Sequence, residues 1–242
     1  MSSINQETNK SNQTEILKSL WIVRHSIRTD SETKTEEIPL DTDCSITNNG
    51  VHLAKNFGHL LSYMIYEEKN KNKKNNIDKI YTSPYMRAIQ TSYAISSVIN
   101  NPPIIINSLL SEMIVPSFVN NDVNKLPFYL SNYLINTTKY GYPETEDNVD
   151  DRCIQFLEQM KNEHFNIAIS VTHGGLINKM VKILCPEYEY QHNLSPSQYI
   201  PSFCDYLELQ LIKEKDSEYK NEKLIWKIGK SNWLDVKVIN KE

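Results

Sequence analysis

Apolar residues fall in short dense runs along this chain, and the runs alternate with stretches of helical period. Leu20-Trp21-Ile22-Val23 is four apolar residues in a row, followed at once by Arg24-His25-Ser26-Ile27-Arg28. A run so short and unbroken predicts a strand covered on both faces, as in a parallel sheet. Residues 77–82, 104–106 and 166–172 predict three more strands, and 205–212 with 223–228 predict a closing hairpin at the sheet edge. Val51, Ala54, Phe57, Leu61 and Met64 recur three or four apart, which predicts a helix over 51–66 with Thr47 as its N-cap. Met86, Ile89, Ala94, Ile95 and Val98 predict a helix over 85–99, with Pro84 in its first turn. Cys153, Phe156, Leu157 and Met160 mark a third helix, and Ile177, Met180, Val181 and Leu184 a fourth over 176–184. Strand and helix alternating in this way predict the α/β class: a mostly parallel open sheet flanked by helices on both faces.

The polar stretches divide the chain. Residues 1–18 offer no apolar period and are expected to be a flexible tail before a single domain over 19–242. Residues 67–76 are Lys- and Asn-rich and expected to be a solvated linker. Residues 113–150 hold Pro116, Pro127 and Pro143, many aromatics and little period, and are expected to form a lid inserted over the sheet. Composition adds only boundaries. The 242 residues suffice for one large core, and a net charge of −4 carries no global basic footprint for nucleic acid. No apolar run approaches bilayer length, and the N-terminus lacks the apolar centre of a signal peptide. Cys44, Cys153, Cys185 and Cys204 are scattered without a Cys-x-x-Cys pair, so reduced thiols in a cytoplasmic chain are expected.

The candidate chemistry sits where strands end. Open α/β sheets bind ligands beyond the carboxyl ends of their strands. His25 follows the first strand and His173 the fourth, and His25 is flanked by Arg24 and Arg28. His52, His59, His164 and His192 lie on helices or in polar loops and are given no role.

Several motifs here resemble those of the histidine phosphatase, or phosphoglycerate mutase-like, superfamily. Arg24-His25-Ser26 is similar to its Arg-His-Gly motif, with serine in place of glycine. Ser83-Pro84-Tyr85-Met86-Arg87-Ala88-Ile89-Gln90-Thr91 is similar to its Ser-Pro-x-x-Arg-x-x-Gln-Thr, and His173-Gly174-Gly175 to its later His-Gly. The segment from Asp43 to Gly50 resembles the intervening Leu-Thr-x-x-Gly. Arg28 with Asp30 two residues on, and the Cys204-Asp205-Tyr206-Leu207-Glu208-Leu209 strand, look most like the branch of the ubiquitin-associated, SH3-containing phosphatase-like proteins and ecdysteroid phosphate phosphatase.

The resemblance implies a phosphohistidine on His25, a donor role for His173, and a carboxylic acid just beyond the third strand, where Glu112 stands. The chemistry asks for the same parts. A phosphoryl group needs positioning and charge neutralisation, and Arg24, Arg28 and Arg87 offer forked donors to its oxygens. Surrounding cations would hold His25 neutral and nucleophilic, whereas an apolar neighbourhood would raise the pKa of Glu112. No metal and no cofactor are expected, since no ligand motif stands in the chain, and no cysteine opens a phosphate loop.

Three functions fit. The first is a phosphatase acting on a small-molecule or peptide phosphomonoester, with inorganic phosphate as product. The second is a phosphoglycerate mutase, whose usual Arg-rich run after the acid is replaced here by Met113-Ile114-Val115-Pro116. The third is a weakly catalytic module that binds phosphorylated ligands, a reading that rests on Ser26. Phe118, Phe128, Tyr129 and Tyr133 in the expected lid suggest an apolar or aromatic leaving group. No nucleic-acid or membrane partner is expected, and a dimer is the expected form of any oligomer.

Overall fold

The computed structural model describes residues 15–32, 43–67, 76–113, 144–186, 200–215 and 222–234. In chain order these form β1 (Ile16–Arg24), the single turn α1 (Thr29–Glu32), α2 (Asn48–Glu67), β2 (Lys79–Thr82), α3 (Met86–Ser96) and β3 (Ile104–Ile106). A 3-10 turn over Ser108–Leu110 follows, then α4 (Glu146–Asn162), β4 (Ile167–Thr172), α5 (Gly174–Leu184), β5 (Tyr206–Lys215) and β6 (Glu222–Ser231). The six strands make one sheet in the order β3-β2-β4-β1-β5-β6. The first four are parallel, and β5 and β6 run antiparallel as the edge hairpin, as the sequence pattern predicts.

The unbroken apolar runs are explained by burial on both faces. Along β1, Leu20 and Ile22 pack with Phe156, Leu176 and Met180, while Trp21 and Val23 pack with Phe57, Leu61 and Ile95. One core layer therefore lies under α4 and α5 and the other under α2 and α3. All six residues of β4 are buried. Each fully buried Leu, Ile or Val contributes about 1.5–3 kcal/mol.

Three boundaries differ from the sequence expectation. Strand β1 begins at Ile16 rather than Leu20, because Ile16, Lys18 and Ser19 pair with Ile212, Leu211 and Gln210 of β5. Part of the stretch expected as tail is thus strand, held also by the Lys18 ammonium, which donates to the Lys161 carbonyl at 2.6 Å. Pro84 lies one residue before the cap of α3, Tyr85, and not in its first turn. The Asp43 carboxylate receives the Met86 N–H at 2.6 Å and closes that helix end from a distance. Helix α4 begins at Glu146, inside the segment expected as lid. The rest of that lid, over 114–143, and most of the 67–76 linker lie outside the described residues. Among the described residues no helix is long and apolar enough to cross a membrane.

Thr47 caps α2 as predicted, its hydroxyl receiving the Gly50 N–H at 2.9 Å. The same turn is clasped to the loop after β1, for the Thr47 N–H donates to the Ile27 carbonyl at 2.9 Å. Gly50 lies at the tightest point: a Cβ there would stand 2.7 Å from the Ile27 oxygen, a backbone atom that cannot swing aside. Gly50→Ala is therefore expected to lower stability by about 1–3 kcal/mol, read as a fall in thermal unfolding midpoint.

Candidate active site

The register of the sheet brings the strand ends together. Arg24 pairs with Thr172 across β1 and β4, and Thr82 with Val171 across β2 and β4. The residues that follow, His25, His173 and Ser83, then leave the sheet side by side, with the His25 N–H on the Thr172 carbonyl at 2.8 Å. The imidazoles of His25 and His173 stand 5.2 Å apart, centroid to centroid, and both are buried.

His25 has a defined tautomer. Its Nδ1 lies 2.9 Å from the Ser26 carbonyl oxygen, an acceptor only. Nδ1 must therefore carry the proton, which leaves the lone pair on Nε2. Burial pushes the His25 pKa well below the ordinary value, and His173 and Arg87 push in the same direction. The neutral, nucleophilic form is the resting one.

Around it the predicted residues converge. Arg87 is buried at the start of α3, its guanidinium 3.2 Å from His173 Nδ1 and 3.3 Å from Glu112 Oε2. Glu112 Oε2 is 3.1 Å from His173 Nδ1. Ser83 Oγ meets the other ring nitrogen, Nε2, at 2.8 Å, and Tyr85 packs on both the His173 ring and the Arg87 guanidinium. Arg24 donates to the Pro201 carbonyl at 2.6 Å and lies over the Phe203 ring. Its Nε is buried and has no acceptor among the described residues. Burial lowers the Arg24 pKa; Glu112 opposes the shift, and Arg28 and Arg87 add to it. Guanidinium groups that repel one another around an unfilled donor suit an anion.

Two expectations need correction. Burial does push Glu112 upward, but the adjacent His173, the hydrogen bond between them and the Arg87 guanidinium outweigh it. The carboxyl is held well below the ordinary carboxylate range, because its neighbourhood is cationic and not apolar. Arg28 is also not poised for a ligand alone: its Nε donates to Asp30 Oδ1 at 2.8 Å and its terminal nitrogen to Oδ2. The Cys44 thiol donates to the same carboxylate at 3.4 Å.

Ser26, the departure from glycine, is accommodated. Among the described non-glycine residues only Asn100, Asn101 and Cys204 have positive φ, so Ser26 needs no backbone conformation reserved for glycine. Its hydroxyl donates to the Gly50 carbonyl at 2.7 Å, and its N–H donates to Thr91 Oγ1 at 2.9 Å.

Sequence reasoning gave no role to Ser83, Tyr85, Gln90, Thr91, Asp30 or Phe203. The motif around Arg87 did contain four of them. Gln90 receives the Ile46 N–H at 2.8 Å, and Thr91 receives Ser26 while donating back to the Arg87 carbonyl at 2.7 Å. The motif thus delivers an arginine and also ties its helix to two loops of the site. Phe203 had no signal, because only the tertiary fold brings it to Arg24 and His25.

The side chains of His25, Glu112 and His173 each bring one ligand atom within 4.8 Å of the others, the spacing of a cation site. Arg87 already supplies a cation against two of the three, and its repulsion opposes a divalent ion there.

Residues 20–195 match the histidine phosphatase superfamily (branch 1). This chain belongs to that superfamily. A candidate phosphoserine phosphatase (phosphoserine phosphatase 2) of Hydrogenobacter thermophilus is 27% identical over 176 residues, 69% of this chain and 79% of that protein. The phosphoserine phosphatase of Entamoeba histolytica, solved with 3-phosphoglyceric acid, has the same fold at a TM-score of 0.52 and 16% identity, covering 90% of this chain and 98% of its own. A mycobacterial glucosyl-3-phosphoglycerate phosphatase matches at 0.53 and 13%, covering 89% and 100%.

The buried histidines make stability depend on acid. Burial and Arg87 push His173 down to about 4, with Glu112 opposing, and His25 moves the same way. A depressed base holds its stabilising effect above the unfolded pKa of about 6.5 and loses it as pH falls toward the folded value. The unfolding midpoint is expected to fall between about pH 6.5 and 4, and His173→Gln to flatten that slope in a pH series of thermal melts.

Proposed function

We propose that this protein is a metal-independent phosphatase that hydrolyses phosphomonoesters through a phosphohistidine on His25, with Glu112 as proton donor. The observation that carries the reading is the Nδ1 contact to the Ser26 carbonyl at 2.9 Å, which commits one nitrogen and leaves the lone pair on Nε2 of a ring that the charge of Arg87 helps to keep neutral.

The first step forms the Nε2–P bond and breaks the bond from phosphorus to the ester oxygen. The departing alkoxide takes the proton of Glu112. A phosphoryl dianion among Arg24, Arg28 and Arg87 offsets the positive charge that depresses Glu112, and so restores the affinity of that carboxylate for a proton. In the second step Glu112, now a carboxylate, removes a proton from water as it attacks phosphorus, the P–Nε2 bond breaks, and inorganic phosphate leaves. Arg24 Nε and Arg87 neutralise the equatorial oxygens throughout, and the N–H groups opening α5 behind His173 add to that field.

The phosphatase names of the relatives support hydrolysis over phosphoryl return to a second substrate. Arg28 held by Asp30 is consistent with the ecdysteroid phosphate phosphatase-like branch. The substrate is a compact monoester of the phosphoserine kind or a larger organic ester, and both share the phosphoryl end described.

Purified protein with p-nitrophenyl phosphate in a chelator is expected to turn over, and His25→Ala to abolish the rate. Glu112→Gln is expected to lose about 10²–10⁴-fold. A rate lost to the chelator would falsify the histidine mechanism. Stimulation of 2-/3-phosphoglycerate interconversion by 2,3-bisphosphoglycerate would replace hydrolysis with mutase activity.

The three arginines are not equivalent in this reading. Arg87→Lys keeps the charge but loses the planar guanidinium whose one terminal nitrogen meets both His173 and Glu112, and is expected to cost roughly tenfold to a hundredfold in kcat/KM. Inhibition by vanadate should weaken in parallel.

A further inference from the structure

The loop that carries Glu112 is gripped from below. Three successive carbonyls precede the acid, those of Leu109, Leu110 and Ser111, and each accepts from a side-chain donor. Arg152 donates one terminal nitrogen to Leu109 at 2.9 Å and to Ser111 at 2.8 Å, and Thr172 Oγ1 donates to Leu110 at 2.7 Å. Both donors are 0% exposed. The other edge of the Arg152 guanidinium is locked by Glu144, with Nε on Oε1 at 2.8 Å and the second terminal nitrogen on Oε2 at 2.7 Å.

A bidentate ion pair at this depth is a poor stabiliser, since desolvation offsets most of the attraction and apolar residues would fill the volume as well. What it does supply is geometry: a planar fork fixed on one side by a carboxylate presents its remaining N–H groups in set directions. Those directions end on the two carbonyls that flank the last residues before Glu112. Thr172 supplies the third contact from the end of β4, one residue before His173. The same strand therefore sets the partner imidazole and the loop of the acid.

We propose that Arg152, locked by Glu144 and assisted by Thr172, positions Glu112 for proton transfer to the leaving group. The inference rests on the phosphatase reading above and adds residues that do not touch the substrate. A proton donor tolerates little displacement, whereas attack by His25 does not involve this loop. Loss of the grip should therefore slow phosphohistidine formation only from substrates whose leaving group needs the proton, while phosphohistidine hydrolysis, in which Glu112 is the base, slows for every substrate.

The test compares an alkyl phosphate, whose alkoxide requires protonation, with 2,4-dinitrophenyl phosphate, whose phenolate departs unaided. Arg152→Lys keeps the charge and removes the fork; Thr172→Val removes one hydroxyl at constant shape. Arg152→Lys is expected to lower kcat/KM, which reports phosphohistidine formation, about 10–100-fold on the alkyl ester and less than about threefold on the dinitrophenyl ester, while kcat, which includes phosphohistidine hydrolysis, falls on both. Thr172→Val should show the same selectivity at smaller size, and the pH profile on the alkyl ester should change in both variants.

Equal losses of kcat/KM on the two esters, or none, overturn the proposal while leaving the phosphatase reading intact. If Arg152→Lys shows no cooperative melting transition, Thr172→Val decides alone by the same criterion. Wild-type protein that turns over neither ester in chelator overturns both readings.

Discussion

The site depends on keeping two imidazoles uncharged while they face each other at the ends of adjacent parallel strands. β1 and β4 are neighbours in register, so their first residues beyond the sheet, His25 and His173, are brought to a ring separation of 5.2 Å. Protonating either would place a cation in a buried space that already holds Arg87. Burial therefore does chemical as well as structural work here: the layers that exclude water from β1 and β4 also hold His25, the proposed nucleophile, in its uncharged form. The core and the mechanism share the same strands.

The second organising feature is a set of ties between loops. The turn after β1 is bound to the start of α2 through Ile27, Thr47 and Gly50, and to α3 through Ser26 and Thr91. Glycine at position 26 would leave the Gly50 carbonyl without its hydroxyl partner. The serine adds a hydrogen bond within the scaffold and leaves the donor atoms that face the ligand unchanged. Its burial and bonding remove the argument that this residue weakens catalysis by strain.

Much of this was legible in the sequence, for physical reasons particular to each element. Leu20–Val23 is apolar without a break and Ile167–Val171 is apolar but for the buried Ser170, because both faces are covered, so period and burial agreed. His25, Arg87, Glu112 and His173 each stand at or just beyond a strand end, where fold class alone predicts convergence. The charge state of Glu112 was not legible, since it depends on which side chains stand within about 3 Å, and those come from α3 and the end of β4. Ile16–Ser19 hid its strand character because Lys18 and Ser19 interrupt the apolar run, and its partner is a strand nearly two hundred residues on. Nothing in the sequence sets Arg152 apart from other charges on its helix, and only its buried partners distinguish it from a solvated one.

The four cysteines carry a consequence of a different kind. All are free, and burial pushes each thiol up, Cys153 to about 12 and Cys204 to about 11, with Cys44 and Cys185 moving the same way. Oxidants and electrophiles attack thiolates, and these residues hold almost none near neutral pH. The packing that stabilises the fold thus also keeps its sulfurs protonated and leaves peroxide few thiolates to attack.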